Sequence, residues 1–290
     1  MWLSFAIISV ILLSASSILE KKALVKEHAL EFSAYLSFYC FLISIPLFFI
    51  FNNGRGVELI PLVTIAITAI IGGIAFLLVV RSIRHMEISE VSPIIAIGPA
   101  MAAILAFIFL GEHLSALQVT GLIVIIFGIY ILELKNIKNL LSPFKNILSN
   151  KYIHFILIAQ LLYGVTDVLC KTVLSKYHMK PELYLFYYQL FLALFYFVLL
   201  QVKQNKFEHV AKTSRNQIFL IIIIAIFTLG YRVTHLYAIS LISIGIAIAI
   251  HRSSTLITTV IGGKLYKEGR IIQKSFAAVI VILGVVLVAI

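Results

Sequence analysis

Apolar residues follow one another along this chain in stretches of roughly twenty, interrupted by small clusters of charge or by glycine and proline, almost end to end from Trp2 to Ile290. A helix needs roughly 20 such residues to cross the hydrocarbon core of a bilayer. The breaks place spans near 2–24, 33–51, 60–82, 88–110 and 114–132. After a polar stretch from Glu133 to Lys151, further spans follow near 152–175, 183–201, 217–239, 243–263 and 271–290. The pattern predicts an all-α membrane protein of ten transmembrane helices, with little chain left for a soluble domain. The first apolar run has no basic residues ahead of it and no small-residue cleavage site behind it, so it reads as a first span rather than a removed signal.

The second five spans read as a copy of the first. "LLSASSILEKKAL" from Leu12 aligns with "LLYGVTDVLCKTV" from Leu161, which pairs Lys22 with Lys171. "FLGEHLSALQVTGLIVIIFGIYIL" from Phe109 aligns with "LYKEGRIIQKSFAAVIVILGVVLV" from Leu265, pairing Glu112 with Glu268 and Gly128 with Gly284. A direct repeat of an odd number of spans enters the membrane from opposite sides in its two copies. The chain is therefore predicted to form two inverted five-helix repeats, 1–132 and 152–290, joined by 133–151. That architecture belongs mainly to secondary transporters, whose sites lie near the midplane where the repeats meet.

The segment "SPIIAIGPAMAAILAFIFLGEHLSALQVTGLIVIIFGIYIL", from Ser92 to Leu132, resembles the closing part of an EamA repeat in the drug/metabolite transporter superfamily. It has a proline-containing fourth span, a short "GEHLS" turn and a fifth span with spaced glycines, and the second half carries a degenerate copy with Lys267 and Glu268 in the turn. The resemblance implies ten spans, both termini in the cytoplasm, no cofactor, and substrates such as amino acids, sugars, nucleotide sugars, amines or drugs. The related small multidrug resistance proteins carry a proton-binding Glu eight residues before a Lys in their first span. Counting back eight from Lys22 and Lys171 gives Ser14 and Tyr163, so that carboxylate is missing, and Glu20 and Asp167 are the only acids to replace it in these two spans.

Composition supports the membrane reading, because 62% of the 290 residues are apolar and only 12% are charged, against about half and a quarter in soluble domains. The net charge of +11 lies largely in short connections between spans, which is a topological signature and does not imply nucleic acid. The basic connections follow spans five, seven and nine, which places both termini outside. The resemblance places them inside, so the sequence fixes only that they share a side. Cys40 and Cys170 lie in apolar runs without metal-ligand spacing and read as packing residues. No Walker, zinc-ligand or HExxH motif occurs, so neither ATP drive nor metal chemistry is supported and no enzyme activity or cofactor is expected.

Candidate chemistry comes from charges at membrane depth, where each costs at least roughly 2.5–3.5 kcal/mol and is expected to face a cavity or a partner. His251 and Arg252 fall near the middle of the ninth predicted span, and Arg252, Thr255 and Thr259 recur on one helix face. A guanidinium with two hydroxyls suits a carboxylate, phosphate or sulfate, through paired hydrogen bonds of fixed geometry. An ion pair between Arg252 and Asp167 is the structural alternative. The sixth span brings Tyr163, Asp167, Cys170 and Lys171 near one face, with Asp167 and Lys171 spaced to neutralise each other. The eighth adds Tyr231, Arg232 and His235, and Lys22 joins the set as the counterpart of Lys171. Cations outnumber acids in this set, which favours an anionic solute. Glu112 and Glu268 read as caps for the helices that follow their turns, where a carboxylate gains about 0.3–1 kcal/mol.

The first-half positions that match His251, Arg252 and Asp167 are Ile95, Ala96 and Ile18, so the polar site is expected mostly from the second half. The fourth and ninth spans, with Pro93, Pro99 and Arg252, are expected to line a central cavity. The resulting expectation is a multi-pass protein of the cell inner membrane that moves a small polar metabolite, bearing an anionic group, by alternating access. Its partners are the solute and the lipid bilayer, with a coupling ion and the oligomeric state left open. An amine or drug exporter using Asp167 and Glu20, and an intramembrane lipid-flippase-like subunit, stand as alternatives.

Overall fold

The computed structural model describes residues 1–24, 29–52, 57–83, 95–133, 150–202, 215–254, 256–257 and 271–289. Among them are ten helices and no strand. The first half contains α1 (Trp2–Leu24), α2 (Ala29–Phe51), α3 (Leu59–Ile83), α4 (Gly98–Leu110) and α5 (Ala116–Glu133). The second contains α6 (Lys151–Lys176), α7 (Pro181–Val202), α8 (Arg215–Leu241), α9 (Ile244–Arg252) and α10 (Ile271–Ala289). Each helix falls on a predicted span. By length and composition, α1, α2, α3, α6, α7 and α8 are long and apolar enough to cross a membrane. The described parts of α4, α5 and α10 are shorter apolar helices. Residues 88–94, 255 and 258–263 of the predicted fourth and ninth spans lie outside the described residues.

Apolar side chains fill the core and also cover the outside, and several small polar ones are buried among the helices. Large apolar groups such as Phe49, Ile50, Ile108 and Phe109 point outward, whereas Ser9, Ser14, Ser16 and Thr228 are almost wholly buried. Lipid solvates the former, and only protein can satisfy the latter. The hydroxyls therefore select which helix faces meet, because each needs a partner on a neighbour or on its own preceding turn. Ser14 Oγ, for example, donates to the carbonyl of Val10 at 2.7 Å and lies 3.2 Å from that of Ser254.

Helices pair mainly between the halves. The contacts join α1 to α8 and α3 to α6, α2 to α7, α4 to α9, and α5 to α10. Further contacts join α4 to α6 and α1 to α9, then α3 to α7 and α2 to α8. When each helix is exchanged for the one five places along the chain, every one of these pairings maps onto itself or onto another of them. The repeat visible in the sequence is thus also a repeat in the contacts.

The α5–α10 pair closes through glycine. A Cβ added at Gly284 would lie 2.8 Å from the Ile125 nitrogen and 2.9 Å from the Gly121 carbonyl oxygen, both backbone atoms that cannot swing aside. At Gly230 the only close neighbour would be Leu12 Cδ1 at 3.1 Å, the end of a flexible side chain. Gly284→Ala is therefore expected to destabilise the protein by about 1–3 kcal/mol, as overpacking does, and Gly230→Ala by much less. Thermal unfolding of the two purified variants in one detergent checks the order, and equal midpoints would contradict the close approach.

Candidate functional site

Three helices of the second half and one of the first enclose a cavity of about 200 Å³. Tyr163, Thr166, Asp167 and Cys170 enter it from α6, their spacing setting them on one helix face. Tyr231, Arg232 and His235 enter from α8 and Tyr184 and Tyr188 from α7, while α3 adds only Thr68. The Arg232 guanidinium lies over the Tyr188 ring, 5.5 Å from its centroid, where the negative face of the ring attracts it.

Carboxylates accompany the cations. Arg252, at the end of α9, acts electrostatically on Asp167 and Tyr163, and Arg232 acts on Glu20 of α1. Glu20 Oε1 accepts a hydrogen bond from Ser16 Oγ at 2.8 Å, and Ser16 Oγ lies 3.1 Å from Thr228 Oγ1 on α8. Beside the cavity, the rings of His235 and His251 stack with centroids 4.0 Å apart. His251 Nδ1 is 2.8 Å from Ser9 Oγ, which also hydrogen-bonds the Tyr231 carbonyl at 3.1 Å.

A second polar cluster forms at the "GEHLS" turn, and local rules explain its shape. Gly111 ends α4 at φ 65°, a left-handed conformation natural to glycine, and its N–H and that of Glu112 bond back to the Phe107 and Ala106 carbonyls. The next helix starts with a reciprocal capping box. The Ser115 N–H donates to Gln118 Oε1 at 3.1 Å and the Gln118 N–H donates to Ser115 Oγ at 3.2 Å. With α5 already capped, the Glu112 carboxylate turns to the other half of the molecule. Its Oε2 accepts from the Ile244 N–H at 2.9 Å, at the start of α9, and its Oε1 forms an ion pair with Lys171 of α6. Lys171 Nζ also donates to the Ile242 carbonyl at 2.6 Å, just past the end of α8. Carboxylate at a helix N-terminus and ammonium at a C-terminus both complement the backbone dipoles.

The structure thus gathers Tyr163, Asp167 and Arg232 at one cavity, with Arg252 and His251 adjoining through α9. Lys171 belongs to the Glu112 cluster instead of pairing with Asp167, which removes one cation from the excess expected from the sequence. Lys22 is exposed near the end of α1, away from the cavity lining. Thr255, Thr259, Glu268 and Pro93 lie outside the described residues. Among the described residues the cavity is lined from α3, α6, α7 and α8; Pro99 is buried on α4, which packs against α9, and Arg252 of α9 bears on the cavity through its electrostatic interaction with Asp167. The reading of Glu112 as a cap is corrected in its target, from the helix that follows it to α9. Sequence reasoning missed Ser9, Ser16, Thr68 and Tyr184. Ser9 and Ser16 are seven apart on one face of α1, a spacing that would have marked that face as buried.

Comparison with known proteins adds three findings. Residues 1–134 and 150–290 both match the model of the EamA-like transporter family. A solved crystal structure aligns with 98% of this chain and 94% of its own at a TM-score of 0.73 and 10% identity, a likeness of fold alone. No curated protein sequence matches.

The Glu112–Lys171 cluster generates a direct test. Both side chains are mostly buried, at 15% exposure each. Removing one partner leaves an uncompensated charge, which costs about 3–5 kcal/mol when the survivor is buried. Lys171→Met is expected to lower folded yield and unfolding temperature more than the double change Glu112→Gln with Lys171→Met. Equal losses in the single and double variants, read by fluorescence-detected size exclusion and thermal unfolding, would show the two charges to be uncoupled.

Proposed function

The chain belongs to the EamA-like transporter family, and on that premise we propose that it is a secondary transporter moving a small polar solute with an anionic group across the cell inner membrane. The solute occupies the cavity between α3, α6, α7 and α8. Its volume of about 200 Å³ lies below the roughly 300–1,000 Å³ of drug-sized pockets, which favours a small metabolite. The observation that carries the reading is that two guanidinium groups bear on the cavity, Arg232 at its wall and Arg252 through its electrostatic interaction with Asp167. A guanidinium fork binds carboxylate or phosphate oxygens in pairs, and it does so more strongly where water is scarce. An arriving anion would compete with Asp167 for Arg252, so binding would alter an existing electrostatic interaction.

Ten spans arranged as two inverted five-helix repeats, 1–132 and 152–290, are part of the same proposal. The exchange symmetry of the helix contacts supports it, because five spans per half reverse the direction of the second copy. Alternating access would then proceed by movement of one set of helices against the other around the cavity. A second reading is favoured by one feature: Asp167 shares the cavity with Tyr163, Tyr188 and Tyr231, and a carboxylate among aromatic rings suits an amine.

Uptake and counterflow in proteoliposomes, with a panel of labelled carboxylates, phosphorylated sugars and amines, separate the two. A carboxylate or phosphorylated solute is expected to be carried. Arg252→Ala is expected to abolish that transport, and Arg252→Lys to retain little, because a point charge lacks the two-pronged geometry. Full activity of Arg252→Ala at equal protein amount, or preference for a simple cation, would overturn the anionic reading and leave the amine reading standing.

A further inference from the structure

His235 of α8 lines the cavity, and its ring stacks on that of His251 of α9 at a centroid distance of 4.0 Å and an interplanar angle of 29°. Two imidazolium rings at that distance repel strongly where little water screens them, so the pair takes up at most one proton beyond the single N–H of each neutral ring. His251 is held from its other side by Ser9, whose Oγ lies 2.8 Å from His251 Nδ1 and 3.1 Å from the Tyr231 carbonyl oxygen. Its one hydroxyl hydrogen can be donated to only one of the two at a time. On the facing ring, His235 Nδ1 is buried and has no hydrogen-bond partner among the described residues. A buried ring nitrogen without a partner requires an explanation, and a basic lone pair held for a proton supplies one.

The charged and titratable groups around the pair come from five helices. They are Arg232 and Tyr231 on α8, Arg252 on α9, Asp167 and Tyr163 on α6, Tyr184 and Tyr188 on α7, and Glu20 on α1, which Arg232 acts on. An imidazolium here adds a third positive charge beside two guanidinium groups. It becomes favourable when an anion covers one of those guanidinium groups.

We propose that the stacked His235–His251 pair is the binding site of a coupling proton, and that this proton and the anionic group of the solute are taken up together. This rests on the reading of the cavity as an anion site. The proton adds to the lone pair of one imidazole, no other bond forms or breaks, and the same proton leaves when the anion leaves. By linkage, the anion raises the proton affinity of the pair by the factor by which the proton raises the affinity for the anion. Proton and anion therefore move in the same direction, as a symport.

The test reads the imidazoles directly. The full chain, labelled with ¹³C at histidine Cε1 and purified in detergent, is titrated by NMR over about pH 5–8 at constant ionic strength, with and without sodium phosphate or sodium acetate as probe. His235→Gln and His251→Gln assign the two signals. Ser9→Ala, which keeps both rings but removes the hydrogen-bond partner of His251 Nδ1, is a second variant should either glutamine change prevent folding. The expected result is one titration shared by both rings, moved up by about one pH unit, a tenfold gain in proton affinity, by at least one probe. Ser9→Ala is expected to displace that titration without abolishing it. Two independent titrations, or none, overturn the proton site whether or not anions are transported. A shared titration that neither probe moves overturns joint uptake. Failure of the anion reading itself appears separately, as absence of carboxylate and phosphate transport in proteoliposomes.

Discussion

No water is available at membrane depth to satisfy a polar side chain, and that constraint decides how the helices of this protein meet. The apolar surfaces of the ten helices do not discriminate between partners, since lipid solvates them as well as another helix does. What discriminates is the position of a few hydroxyls, amides and charges. Ser9 and Ser16 on α1 face Tyr231 and Thr228 on α8, and this hydroxyl seam accompanies one of the principal contacts between the halves. Gln273 on α10 likewise donates to the Ile131 carbonyl on α5 at 2.7 Å, beside the glycines that let those two backbones approach.

The Glu112–Lys171 cluster applies the same rule to helix ends. The last carbonyls of one helix and the first N–H groups of the next have no intrahelical partner. At the α8–α9 junction these groups are supplied from elsewhere in the molecule, by an ammonium from α6 and a carboxylate from the α4–α5 turn. The ion pair then joins the two supplying side chains. Any movement that separates the α4–α5 turn from the α8–α9 junction must break the carboxylate–N–H bond or carry Glu112 away from Lys171. The cluster is therefore a mechanical as well as an electrostatic link between the halves.

The cavity differs from this frame in having polar groups that are not fully engaged by it. Among the described residues its lining comes almost wholly from α6, α7 and α8, and the first half has Ile18, Ala96 and Ile95 where the second has Asp167, Arg252 and His251, so two similar backbones carry unlike chemistry. A pseudo-symmetric scaffold can supply matched helix contacts on both sides while only one copy keeps the ionisable groups. Asp167, Arg232 and Arg252 are then positioned by helices whose packing does not depend on them alone. Such an arrangement suits a site whose contacts must change as solute enters and leaves.

The sequence by itself determined the helical class, the approximate limits of the helices, the repeat and the membership of Tyr163, Asp167 and Arg232 in one polar set. Each of these is a local or periodic property: span length follows from bilayer thickness, and helical spacing puts Asp167 on the same face as Tyr163 and Cys170. Only the tertiary structure decided the partners. Lys171 lies four residues from Asp167, and spacing alone would join them, yet Lys171 meets Glu112 across the interface. Glu112 immediately precedes a helix, and local rules would make it that helix's cap, but Ser115 and Gln118 fill that role and the carboxylate reaches α9. His235 and His251 are separated by a helix end and a turn, and nothing in their spacing brings their rings into contact. Periodicity assigns a side chain to a face of its own helix. Which face of which other helix it meets depends on how all the buried polar groups are satisfied together, and that is a property of the packed molecule.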